Sequence, residues 1–136
     1  MKKLIATTLF ATVTAGCATF GQLENGLNSL VGRSESEVFN VLGYPNGKQE
    51  FGADTVYVWG NSRNTTMFLP QTQTTTGYVG TKPVYGTTTT TQAIPMNFNC
   101  TIKVIVSSGL VKTWEYDGNL GGCEPYINRL NRHFKK

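Results

Sequence analysis

The sequence predicts an α+β fold: two N-terminal helices packed on a small antiparallel sheet, a Thr-rich insertion, and a short C-terminal helix. Three observations carry that expectation. Apolar residues recur at helical spacing between Phe20 and Leu42, valines alternate with aromatics over residues 56–59, and apolar residues alternate with polar ones from Cys100 to Val104. A length of 136 residues, with 39% hydrophobic and 11% aromatic residues, suits one small β-containing domain near the lower end of comfortable core burial. Only 15% of residues are charged and aromatics are plentiful, the reverse of the composition of a disordered chain.

The elements follow in order. Phe20, Leu23, Leu27 and Leu30 form one apolar stripe of a short helix that Gly26 weakens and Gly32-Arg33 ends. A capping box opens the second helix, with Ser34 as N-cap and Glu37 three residues on. Val38, Val41 and Leu42 give its buried face, and Gly43 with Pro45 stops it. Residues 48–51 and 55–59 read as two strands across Gly52-Ala53-Asp54, with a third strand starting near Thr65-Thr66-Met67-Phe68. Cys100, Ile102, Val104 and Val106 share a core-side face, and Ser107-Ser108-Gly109 turns the chain into a returning strand. On that strand Leu110, Lys112, Trp114 and Tyr116 share a face. A Gly-rich loop over 117–122 precedes a helix from Pro125, with Ile127, Leu130 and Phe134 at helical spacing. Arg129, Arg132, Lys135 and Lys136 cluster at its end.

Residues 71–92 have a different character. Ten of these 22 residues are Thr, and Lys82 is the one charge. The flanks of Thr81-Lys82-Pro83 mirror each other, Thr-Thr-Thr-Gly-Tyr on one side and Tyr-Gly-Thr-Thr-Thr on the other. Thr favours extended backbone, yet no buried face is marked. Two readings stay open: a mobile low-complexity loop, or a protruding arm that pairs with another chain.

The chain begins as an exported protein would. Lys2 and Lys3 precede a short apolar stretch over 4–13 that is too short to span a bilayer, and Thr14-Ala15-Gly16 supplies small residues for a signal peptidase. Ala15-Gly16-Cys17 resembles the lipobox of bacterial lipoproteins, with Thr14 where Leu is usual. The expected division is thus a lipoprotein signal peptide over 1–16 and one periplasm-facing domain over 17–136. Acyl chains on Cys17 would make the membrane its first partner. Removing the two lysines lowers the net charge of +4, already too small to propose nucleic acid. With Cys17 taken by lipid, Cys100 and Cys123 remain as a disulfide pair in an oxidising compartment. Zinc is the rival reading; two lone thiols and His133 cannot fill its shell, so no metal and no cofactor are expected.

Gly32-Arg33-Ser34-Glu35-Ser36-Glu37-Val38, Leu42-Gly43-Tyr44-Pro45, Phe51-Gly52 and Tyr57-Val58-Trp59 together resemble the core of the SmpA/OmlA (BamE-like) outer-membrane lipoproteins. The resemblance covers residues 28–68 and 98–116. It implies two helices on a three-stranded antiparallel sheet, and a role among envelope assembly proteins, one family member being an accessory subunit of the β-barrel assembly machinery. The Thr-rich insert, the Cys100/Cys123 pair and the terminal helix lie outside that pattern.

Catalytic motifs are absent from the sequence: no Gly-x-Ser-x-Gly, His-Glu-x-x-His or P-loop pattern occurs. Glu115, Asp117 and Glu124 are the only clustered carboxylates, and they read as a hydrated loop rather than a glycosidase pair. No enzyme is expected. The functional expectation is an outer-membrane-anchored structural or assembly module, periplasm-facing, whose partner is an envelope or outer-membrane protein or a second copy. The alternative is a lipoprotein inhibitor of a periplasmic hydrolase such as lysozyme. Candidate partner contacts are Tyr78 and Tyr85 on the Thr-rich segment, and Trp59 and Trp114, which with Tyr57 and Tyr116 form an aromatic surface if their strand faces point outward.

Overall fold

The structure, a computed structural model, describes residues 17–135; the expected signal peptide over 1–16 and Lys136 lie outside the described residues. The fold is α+β. Helices α1 (Phe20–Asn28) and α2 (Glu35–Leu42) lead into strands β1 (Gly47–Phe51), β2 (Asp54–Val79), β3 (Lys82–Ser107) and β4 (Leu110–Gly118), and α3 (Leu120–Phe134) ends the chain. The four strands form one antiparallel meander in chain order. The resemblance implied three.

Local chemistry explains most boundaries. Thr19 caps α1, accepting a hydrogen bond from the Gln22 N–H, and Ser34 caps α2, accepting from the Glu37 N–H. The box on α2 is half closed, because the Glu37 carboxylate pairs with Arg33 instead of returning to the cap. Each hairpin turns through a two-residue loop whose first residue has positive φ: Gly52, Gly80 and Ser108. These are the primed turns whose twist matches that of the flanking strands.

The arrangement of the helices differs from the sequence expectation. The C-terminal helix is the longest of the three at 15 residues, and it packs on β3 and β2 with α1 and α2 against it. It starts at Leu120, five residues before Pro125, because the Asn119 side chain accepts from the Gly122 N–H and caps it there. Gly26 of α1 meets it closely: a Cβ at this position would stand 2.7 Å from the Leu130 Cβ.

The core lies between the sheet and these helices. Leu23, Leu27 and Leu30, then Val38, Val41 and Leu42, meet Ile127 and Leu130 over Trp59, Ile102, Val104 and Val106. Cys100 and Cys123 sit within it at disulfide distance, Sγ–Sγ 2.06 Å, joining β3 to α3. On β4 the expected face breaks: Leu110 is exposed and Val111 buried, because a bulge between Ile105/Val106 and their β4 partners shifts the alternation. Among the described residues no helix is long and apolar enough to cross a membrane.

Candidate functional site

The feature that dominates the molecule is the continuation of β2 and β3 beyond the body. The two strands pair in one unbroken register of 26 residue pairs, from Asp54↔Ser107 to Val79↔Lys82. β1 pairs with β2 only as far as Val58, and β4 with β3 only from Cys100 onward. The remainder, residues 62–79 and 82–99, is a two-stranded arm about 60 Å long at the usual rise per residue. Its Thr-rich half, 71–92, is thus extended hairpin rather than loop, and the strand expected to begin near Thr65 is a continuation of β2.

The arm has two zones. Near the body the core-side face carries Met67 and Leu69 beside Ile94, Met96 and Phe98, an apolar stripe that prolongs the line of Trp59 and Ile102. The Phe98 ring lies against Gly121 of α3, and the Arg63 guanidinium covers it at 5.3 Å. Toward the tip the opposite face is mostly Thr, while the core-side face mixes Gln, Thr, Gly and Val. Tyr78 and Tyr85 sit there on the opposite face, flanking Pro83, and are 78% and 74% exposed.

Backbone polarity follows from the turn. The two-residue loop makes Val79 and Lys82 a hydrogen-bonded pair, so every second pair down the arm is one. Even-numbered residues of β2 and odd-numbered residues of β3 therefore direct their N–H and C=O groups outward. The root of the arm agrees: the Gly60 N–H donates to Asn46 Oδ1, and the Asn99 carbonyl accepts from the Asn119 N–H. Asn119 extends this cover by donating from Nδ2 to the Asn97 carbonyl. Beyond these two asparagines both edges are open. Pro70, Pro83 and Pro95 all occupy outward positions, where a missing N–H costs the ladder nothing.

The other expected contacts divide. Trp59 is a correction: it is 1% exposed, with Nε1 donating to the Gly43 carbonyl, so it packs the core and offers no surface. Trp114 is half-buried beneath α1, its Nε1 donating to Asn28 Oδ1 and its ring stacked on Tyr116. Cys17 is an exposed free thiol two residues before the α1 cap. Glu115 and Asp117 line a shallow hollow of about 70 Å³ on the sheet, with Lys103 across from Glu115, while Glu124 projects from α3.

Charge in the body serves packing. Burial, and then a hydrogen bond donated to Glu35, push the Tyr57 phenol above its ordinary range. A hydrogen bond to Glu24 raises Tyr116 in the same way. Lys112, with Ser107, holds the Asp54 carboxyl below the usual range. The cleft between α2 and α3 is lined by Arg129, Arg132 and His133, and Arg129 is committed to the Leu42 carbonyl at the end of α2. Among the described residues no group of His, Cys, Asp or Glu is placed to hold a metal ion.

Sequence reasoning missed the length of the arm and its open edges. The regular placement of Pro70, Pro83 and Pro95 was the signal that could have shown them. No family model, curated protein or solved structure matches the chain.

Proposed function

We propose that the chain is a non-catalytic lipoprotein, anchored to the outer membrane through Cys17 and facing the periplasm, that acts as a protein-interaction module in envelope assembly. The arm is its binding element. One observation carries this: two strands of the sheet run far past the body, with both edges open beyond the root and most of their side chains exposed. An extended edge of this kind binds by strand addition, the backbone supplying hydrogen bonds and the side chains specificity. Tyr78 and Tyr85 suit a contact surface because they bring large area at low entropy cost. The arm carries no carboxylate to offer a hydrolase cleft, which favours strand addition over inhibition.

The signal-like start, the lipobox-like Ala15-Gly16-Cys17 and the SmpA/OmlA resemblance support the location. Two or more acyl chains give stable membrane binding where one is marginal. The Cys100/Cys123 pair suits an oxidising compartment.

The test replaces residues 72–89 with Asn-Gly, which joins the hydrogen-bonded pair Gln71↔Thr90 by a two-residue turn. Fractionation with outer membranes and thermal stability are expected to persist, while co-purification with the partner from detergent-solubilised envelope is lost. An unfolded variant would make the arm structural, and undiminished co-purification would make it passive. Cys17→Ser is expected to leave the membrane fraction; unchanged fractionation would remove the anchor.

A further inference from the structure

We infer that the arm takes a second copy of this chain as its partner, β3 pairing antiparallel with β3 of the other copy about a two-fold axis at Thr89. This rests on the arm being the binding element and names what it binds.

The open edge of β3 fixes the arrangement. Its outward N–H groups belong to Tyr85, Thr87, Thr89, Thr91 and Ala93, an uninterrupted run bounded by Pro83 and Pro95. The two prolines stand equally far from Thr89. Antiparallel pairing centred there sets Thr89 against Thr89, Thr87 against Thr91 and Tyr85 against Ala93. Each of these pairs exchanges two backbone hydrogen bonds, and every donor in the run finds a non-proline residue opposite it. The prolines then face each other at both ends and close the window. A slip of two residues in either direction leaves one complete pair fewer. The edge of β2 gives no such window, because Pro70 interrupts it at its middle.

Side chains agree with this register. Thr faces Thr over the centre, a cross-strand pair that stabilises sheets. On the other face Val84 lies opposite Ile94 of the second copy, bringing together half-exposed apolar groups. The one charge of β3 in the arm, Lys82, falls opposite Met96, and the two lysines stand about 45 Å apart, so no like charges meet. Edge strands that avoid this kind of pairing carry charges, bulges or a cover. Between Pro83 and Pro95 this edge has none. The product is a four-stranded sheet shared by two copies, with the bodies at its ends and their Cys100 positions about 70 Å apart.

The test uses the full chain in detergent-solubilised envelope and three variants. Thr89→Cys places two thiols across the axis at a separation a disulfide spans, and mild oxidation is expected to give a covalent dimer as its main species. Thr91→Cys sets its thiols four residues out of line, about 13 Å apart, and is expected to give none. Thr89→Pro keeps the intrachain ladder, since this N–H points outward, and is expected to weaken self-association about tenfold or more without lowering thermal stability. The proposal is overturned if Thr89→Cys gives no dimer, if Thr91→Cys matches it, or if Thr89→Pro leaves self-association unchanged. Assemblies growing beyond two copies would bring the β2 edge into the contact and would also overturn it. If Thr89→Pro is silent while excision of 72–89 abolishes capture of another protein, self-pairing falls and the binding arm stands. If excision is silent as well, both fall.

Discussion

Residues 54–61 and 62–79 belong to one strand, share one ladder with β3 and differ in what lies on either side of it. In the body, helices cover one face of the sheet, and the loop over 32–34 bonds along β4 through the Gly32 N–H, the Arg33 carbonyl and a bridge at Ser34. In the arm beyond its root, where Phe98 meets α3 and Asn119 bonds the β3 edge, neither a face nor an edge is covered. The contrast separates two contributions usually seen together. Backbone pairing sets the conformation of both halves, but an isolated hairpin is marginal in water, and the stability of the domain comes from apolar burial that only the body provides. The arm is held in shape by Thr-rich extended backbone and a tight turn, and its edges leave backbone donors and acceptors unpaired within the chain.

Truncating one large aromatic side chain in each half is expected to give the largest contrast. Trp59→Ala empties the centre of the core and is expected to cost about 3–5 kcal/mol in chemical denaturation, enough to unfold much of the population. Phe68→Ser, on the same strand but 66% exposed, is expected to stay within about 0.5 kcal/mol. Next in size is the Cys100–Cys123 link, which ties the root of β3 to α3. Reduction, or a Cys100→Ser/Cys123→Ser double variant, is expected to lower stability by about 2–5 kcal/mol and to leave the arm paired, as read by circular dichroism and melting temperature.

Gly26→Ala probes the contact between α1 and α3. In an exposed helix this change stabilises by up to about 1 kcal/mol, but here the new methyl meets Leu130, so a loss of about 1–3 kcal/mol is expected. The smallest effect is electrostatic. Lys112 depresses the Asp54 carboxyl, so the pair contributes stability above the ordinary aspartate pKa of about 3.9, and that contribution is lost as pH falls through the depressed value. Melting temperature measured from pH 6 downward is therefore expected to fall more steeply in the parent chain than in Asp54→Asn. The difference is slight, because both groups are solvated.

Much of the body was legible in the sequence. The Ser34 cap, the alternation of Cys100, Ile102, Val104 and Val106 and the Cys100/Cys123 pair each carry a local signal that the tertiary structure keeps. Three features were hidden for physical reasons. The arm has no period-two pattern at its tip because both faces are solvated, so extended backbone there leaves no trace in polarity. The β4 bulge moves burial from Leu110 to Val111 with no residue that announces it. Helix α3 begins in Leu120-Gly121-Gly122, residues that read as loop, because Asn119 both caps the helix and prolongs the β4 side of the sheet. Of the candidate contacts, Tyr78 and Tyr85 lie on the exposed arm, whereas Trp59 was drawn into the core by the same alternation that made it conspicuous.

The distinction between a covered body and an open arm is read most directly by residue-resolved amide exchange along β3 at low and high protein concentration. Even-numbered amides between Val84 and Phe98 bond to β2 and are expected to be protected at both. Those of Tyr85, Thr87, Thr89, Thr91 and Ala93 point outward and are expected to exchange freely when dilute and to gain protection as copies pair. Outward amides that remain unprotected at every concentration, or even-numbered amides as fast as they are, would contradict the account.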